Sequence, residues 1–117
     1  MKTNPEMVLA SDVDDTLIFE NFSTTTMPHE LVHFNHPYDG RVVSRKIHKK
    51  HIQFLKDSFH RGYYIVVWSG NGKAWCDAVV EALGIKDYVH NTMTKPIKIL
   101  DDLPCEKWMG NRIYLEE

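Results

Sequence analysis

Residues 7–19 read MVLASDVDDTLIF, from Met7 to Phe19, and this stretch decides the fold. It begins as an apolar run, Met7-Val8-Leu9-Ala10, and then sets Asp12, Asp14 and Asp15 within four positions. A short apolar run that ends in acid predicts a strand buried on both faces, with its charge at the C-terminal end. Like charges at that density repel one another, so a cation belongs beside them.

Downstream, the pattern alternates between helix and strand. Residues 20–43 show no sustained period and hold two prolines, a Thr run and the turn pair Asp39-Gly40; they predict a long loop or hairpin excursion. Ser44 is a candidate N-cap for a helix over 45–60, with Ile47, His51, Phe54, Leu55 and Phe59 inward. Tyr63 to Trp68 (YYIVVW) predicts a strand, and Ser69-Gly70-Asn71-Gly72 a tight turn. A second helix follows, with Trp75, Ala78, Val79, Ala82 and Leu83 on one stripe, ended by Gly84. Tyr88-Val89-His90, Ile97 to Leu100 and Arg112 to Leu115 predict three further short strands. Strands and helices in this order imply an α/β fold with a parallel sheet and right-handed crossovers.

The chain has 117 residues, of which 43% are hydrophobic and 26% charged, the composition of a soluble globular domain. That length suits one domain, 1–117. A net charge of −2 gives no global attraction for nucleic acid or an acidic membrane. No apolar run approaches the ~20 residues of a membrane span. MKTNPEM lacks the apolar core of a signal peptide. Cys76 and Cys105 fit no CxxC spacing and are expected reduced. These features predict a cytoplasmic protein with no membrane partner.

Three predicted strands end in polar residues of different kinds: Asp12-Val13-Asp14-Asp15-Thr16, Ser69, and Asp101-Asp102. Lys95 precedes the last of these strands. In an open parallel sheet, ligands bind outside the carboxyl ends of the strands. Clustered carboxylates favour a hard divalent ion, and Mg2+ where phosphate is the co-ligand. A serine hydroxyl and a lysine ammonium suit phosphoryl oxygens. The set predicts phosphoryl transfer, with a carboxylate free to attack phosphorus.

The same residues resemble the haloacid-dehalogenase (HAD) superfamily. Asp12-x-Asp14-x-Thr16 resembles its first motif, Ser69 its second, Lys95 its third and Asp101-Asp102 its fourth. The likeness runs from about Met7 to Leu115, and VVWSGNG, TKP and LDDLP are similar to small phage-encoded members. The resemblance implies a three-layer, Rossmann-like sheet in the order 3-2-1-4-5. It also implies a flap or mini-lid at about 20–43 and no large cap. It implies Asp12 as nucleophile, Asp14 as general acid and base, and Thr16 as the support that orients Asp14. Ser69 and Lys95 would hold phosphate. Mg2+ would lie on Asp12, Asp14 and Asp102, with Asp101 direct or through water. The second acid, Asp14, implies phosphatase rather than dehalogenase chemistry. Capless members are open to large substrates or borrow a neighbouring subunit as lid. A nucleotide, a nucleic-acid end, a sugar phosphate or a phosphoprotein therefore fits, as does a homo-oligomer.

Other features have plainer readings. Asp15 is expected to be solvated. His29, His33 and His36 have zinc-like spacing but lie in an aperiodic segment, so an exposed loop is the better reading. His51 falls on an apolar stripe and is expected to be a hydrogen-bonded, half-buried packing residue. Arg45, Lys46, Lys49 and Lys50 are read as a solvated helix face. Trp68, Trp75 and Trp108-Met109 are expected to pack. Gly70 joins Ser69 and Lys95 in the expected phosphate-binding set; the amides of Asn71 and Gly72 stand where a turn enters a helix and could bind phosphate or equally be only the turn. A signalling receiver domain uses similar groups, but its acceptor should end a middle strand. The candidate, Asp57, lies inside a predicted helix. A non-catalytic binding protein of the same fold is the other alternative, and no motif is missing.

Overall fold

The computed structural model describes residues 4–23 and 25–117. β1 (Asn4–Ser11), β5 (Tyr63–Ser69) and β6 (Asn91–Thr94) form a parallel sheet in the order β1-β5-β6. β1 runs beside β5 with Leu9 opposite Ile65 and Ser11 opposite Val67. β5 runs beside β6 with Ser69 opposite Thr94. The carboxyl ends of all three strands therefore lie level along one edge.

Two crossovers link these strands. α1 (Lys49–His60) connects β1 to β5 by way of the flap, and α2 (Lys73–Ala82) connects β5 to β6. Both steps go the same way across the sheet, so right-handed connections bring both helices to one face. Burial agrees. Ile65, Val67 and Ser69 of β5 are at most 1% exposed, and Ile65 and Val67 join Leu55 of α1 and Val79 and Val80 of α2 in one core. On β1, Leu9 is half-buried, but Val8 and Ala10 on the other face are exposed, Val8 at 53%. The expected two-sided burial of this strand is thus corrected to one-sided, and among the described residues helices cover one face of the sheet.

The reason lies in the C-terminal stretch. The five-strand order 3-2-1-4-5 needs strands at 97–100 and 112–115, and neither segment is a strand. Ile97 is 94% exposed and Leu100 fully so. The short helix α3 (Cys105–Trp108) buries nothing, and Trp108 and Met109, expected to pack, are exposed. Without burial, an apolar run of this length has too little to offset its ordering entropy as a strand. The first three positions of the order, 3-2-1, correspond to β6, β5 and β1.

The segment after β1 is a small antiparallel sheet, β2-β4-β3, built from β2 (Ile18–Glu20), β3 (Leu31–Asn35) and β4 (Val42–Ile47). It is the hairpin excursion read from sequence, but it reaches further. Ser44, taken as an N-cap, sits in the β3–β4 ladder opposite His33. Val43 alternates inward at 6% exposure and Val42 outward. Period-two burial between two partner strands outcompetes the weak helical stripe there. α1 instead starts at Lys49, where His48 Nδ1 caps the helix by accepting from the His51 N–H. The third strand is also displaced: 86–88 form a 3-10 turn and pairing begins at Asn91. Phe34 of β3 packs against Trp75 of α2, the ring centroids 5.3 Å apart and tilted, which fastens the flap to the body.

Candidate active site

Strand alternation sends Asp12 and Asp14 to one side and Val13 to the other. Val13 and Leu17 are buried at 0% and 1% and anchor the loop in the core. The turn closes through Leu17 N–H to Val13 C=O at 2.8 Å and Asp15 N–H to Ile18 C=O at 2.8 Å. Asp15 takes a left-handed φ of 61°, a conformation Asp tolerates better than most residues. It is exposed, as read from sequence.

β5 brings Ser69 to the same edge, 1% exposed. Its hydroxyl donates to Asp14 Oδ2 at 3.3 Å and accepts from the Asn71 N–H at 3.0 Å. Asn71 Nδ2 at 2.9 Å and Trp75 Nε1 at 3.1 Å donate to the same Asp14 oxygen. Three donors from β5, its turn and the first turn of α2 thus fix one carboxylate. Lys95, just past β6, donates its N–H to the Ser69 carbonyl at 2.9 Å. Its ammonium lies 4.0 Å from Asp12 Oδ1. Thr16 Oγ1 donates to Asp12 Oδ2 at 3.4 Å, so its hydroxyl supports Asp12 rather than Asp14. Gly70 is exposed, with open space where a Cβ would stand.

Asp12, Asp14, Thr16, Ser69, Gly70 and Lys95 therefore share one edge. Asp101 and Asp102 do not join them. Both are exposed, and the Asp101 carboxylate accepts from the Leu103 N–H in a local turn. Among the described residues, no three His, Cys, Asp or Glu side chains cluster so as to hold a metal ion. The expected set of Asp12, Asp14, Asp101 and Asp102 is not assembled, because the strand that should carry the second pair inward does not form. Mg2+ nevertheless needs only one or two carboxylates when phosphate and water complete its shell. The Asp12 carboxylate with the Asp14 carbonyl suits that requirement, and one nearby lysine does not neutralise two acids.

Several contributors were not read as site residues. Trp75 was read as core, and it is 3% exposed, yet its indole N–H reaches Asp14. A buried Trp needs a partner for that N–H, which was the available signal. His51, read as half-buried, is buried, and it is paired with His48, the rings stacked at 3.6 Å. His51 Nδ1 meets the Thr16 carbonyl at 2.6 Å, and its Nε2 accepts from the Leu115 N–H at 2.8 Å. His48 Nε2 meets the Leu115 carbonyl at 2.9 Å. The pair fastens the C-terminal strap to the back of the acidic loop. Arg45, read as solvated helix, lies on β4 with its guanidinium over Trp75 at 5.9 Å. Asp57 sits within α1 and is bonded by Gln53, away from any strand end.

Cys76 lies beneath the site, fully buried, with its thiol donating to the Met93 carbonyl at 3.6 Å. Burial and the neighbouring Asp77 push its pKa up to about 11. It is a protonated packing group at neutral pH and not a reactive thiolate.

The sequence profile of the NLI interacting factor-like phosphatases matches residues 7–109, most of the chain. The chain belongs to this family. It is a phosphatase of the HAD-like class, and such phosphatases generally use Mg2+. No curated protein and no solved structure matches it significantly. Among the described residues of this family phosphatase, no helix is long and apolar enough to cross a membrane.

Proposed function

We propose that this phosphatase is a Mg2+-dependent phosphomonoesterase that passes the phosphoryl group through an aspartyl-phosphate on Asp12. The observation that carries the reading is the division between two neighbouring carboxylates. Asp14 is held by donors from Ser69, Asn71 and Trp75. The Asp12 side chain is 36% exposed and, among the described residues, meets a long bond from Thr16 and the Lys95 ammonium. An accessible carboxylate suits attack, and an oriented one suits proton transfer.

Asp12 attacks phosphorus, and the new O–P bond forms as the ester P–O bond breaks. Asp14 gives its proton to the departing oxygen. It then takes a proton from the water that attacks the aspartyl-phosphate, and inorganic phosphate leaves with Asp12 restored. Ser69, the Gly70 N–H and Lys95 are assigned to the phosphoryl oxygens, where fixed donors stabilise developing charge. When bound by the Asp12 carboxylate and the Asp14 carbonyl, Mg2+ supplies further neutralisation of those oxygens.

The test is phosphate release from p-nitrophenyl phosphate with Mg2+, with EDTA, and as Asp12→Asn. Release should need both Mg2+ and Asp12, the variant losing about a thousandfold or more with its melting midpoint unchanged. Turnover that survives Asp12→Asn would remove the nucleophile from the scheme.

A further inference from the structure

A cleft of about 840 Å³ opens beside Asp14, between the acidic loop and the flap. Its walls include Phe22, His36, Tyr38 and Trp75, with Glu20 and Arg45 among them. Phe22 and Tyr38 are 88% and 62% exposed, so two rings stand in water at the mouth of the site. Tyr38 is nonetheless fixed. Its hydroxyl donates to the Asn71 carbonyl at 2.9 Å, in the turn that follows Ser69. Gly72 takes a left-handed φ of 100°, which favours glycine, and a Cβ there would lie 2.5 Å from that hydroxyl and push the ring aside. His36 packs against Tyr38 at 5.6 Å and Trp75 at 5.1 Å, which makes the aromatic wall continuous.

Polar groups are placed at this wall as well. Glu20 and Arg45 are direct partners in the β2–β4 ladder and both line the cleft. Among the described residues they form no ion pair with each other; Arg45 instead lies over Trp75 and donates to the Ser44 carbonyl at 3.0 Å. The cleft thus offers flat π surfaces with the Glu20 carboxylate and the Arg45 guanidinium on its flap side, and Asp14 and Asp15 where it meets the acidic loop. Side chains of these two types pair with the amino and carbonyl edges of nucleobases. A cleft of this size holds a small molecule of several hundred Å³. A sugar phosphate has no flat ring to stack. A polynucleotide calls for a basic track that a net charge of −2 does not suggest.

We infer that the flap cleft is a nucleobase pocket and that the substrate is a nucleoside monophosphate. The base lies against Tyr38 and Phe22, its edge is read by Glu20 and Arg45, and its phosphate reaches Asp12. The inference rests on the phosphomonoesterase reading above: the bond broken is the P–O ester to the nucleoside, which leaves as the free alcohol with the proton from Asp14.

The experiment compares kcat/KM for a set of nucleoside monophosphates with that for ribose 5-phosphate, which has the ester but no base. The ratio should exceed about tenfold for at least one base, and Tyr38→Ala and Phe22→Ala should each lower it severalfold to tenfold, the scale of base–ring stacking. Tyr38→Phe, which keeps the ring, should restore most of it. Calorimetric titration of Asp12→Asn with the same compounds reads the pocket without turnover, and the preferred monophosphate should bind more tightly than ribose 5-phosphate. Equal kcat/KM and equal binding overturn the pocket while the phosphatase stands. Absence of release from every substrate, with base-selective binding retained, overturns the phosphomonoesterase reading and leaves the pocket.

Discussion

Residues 7–94 and residues 95–113 contain similar ingredients and have different fates. In the first region, apolar runs end in Asp12, Asp14 and Ser69, and each run is seated in a shared core. In the second, Ile97 to Leu100 ends in Asp101-Asp102, and its apolar side chains stand in solvent. An acidic pair becomes part of a site only when the strand that carries it is paired and covered. Among the described residues β1 pairs with β5 alone, which makes it an edge strand of that sheet. The strap beyond 113 is fastened by side chains instead: His48 and His51 hold Leu115, and the Tyr114 hydroxyl donates to the Asp15 carbonyl at 3.3 Å.

The contrast is sharpest in stability. Leu55→Ala should cost about 2–5 kcal/mol, the usual penalty for emptying a buried leucine site. Leu100→Ala should stay within about 0.5 kcal/mol, as exposed substitutions do. Urea titrations of both variants check this, and equal losses would show that the 97–100 segment is packed in solution.

The next test lies within the site. Trp75→Phe keeps most of the ring volume but removes the indole donor to Asp14. Turnover on p-nitrophenyl phosphate should fall about tenfold, the effect of losing roughly one hydrogen bond of orientation, with stability lowered by about 1 kcal/mol. An unchanged rate would show that Ser69 and Asn71 suffice to hold the carboxylate.

Asp102→Asn probes the second region directly. In the arrangement described, it should change turnover and Mg2+ requirement by no more than about threefold, against the collapse expected for Asp12→Asn. A loss as deep as that of Asp12→Asn would mean that the 95–113 segment moves in to complete the metal's ligands, and the contrast between the two regions would fail.

The smallest effect separates the two thiols. Cys76 is buried in the first region, and its pKa is raised to about 11 by burial; Cys105 is exposed in the second. Because the thiolate is the reactive form, Cys76 becomes reactive only as pH rises towards that value. Iodoacetamide at mildly alkaline pH should label Cys105 alone in the folded protein and both thiols in denaturant. Rapid labelling of Cys76 without denaturant would show that α2 opens away from β6.

Much of this was legible in one dimension. β5 and α2 are local structures: β-branched and aromatic density made the first, and a regular stripe with Trp75 and Val79 made the second. The acidic loop was legible because alternation alone puts Asp12 and Asp14 on one side of Val13. Residues 45–47 were misread as the start of a helix because so short a segment fits either period, and only its partners in β2 and β3 select one. The triple hold on Asp14 was not legible as a whole, since Ser69, Asn71 and Trp75 lie 55 to 61 residues from it in sequence.

The sequence by itself determined the parallel α/β frame, the acidic loop at the end of β1 and the serine at the end of β5. Alternation, stripes and turn residues are local properties and need no knowledge of neighbours. Tertiary structure alone decided which carboxylate is held and which is accessible, how the flap lends Tyr38 and Arg45 to a cleft, and that Asp101 and Asp102 stay outside. Each of those outcomes depends on which distant surfaces are buried together, and burial is a property of the packed chain.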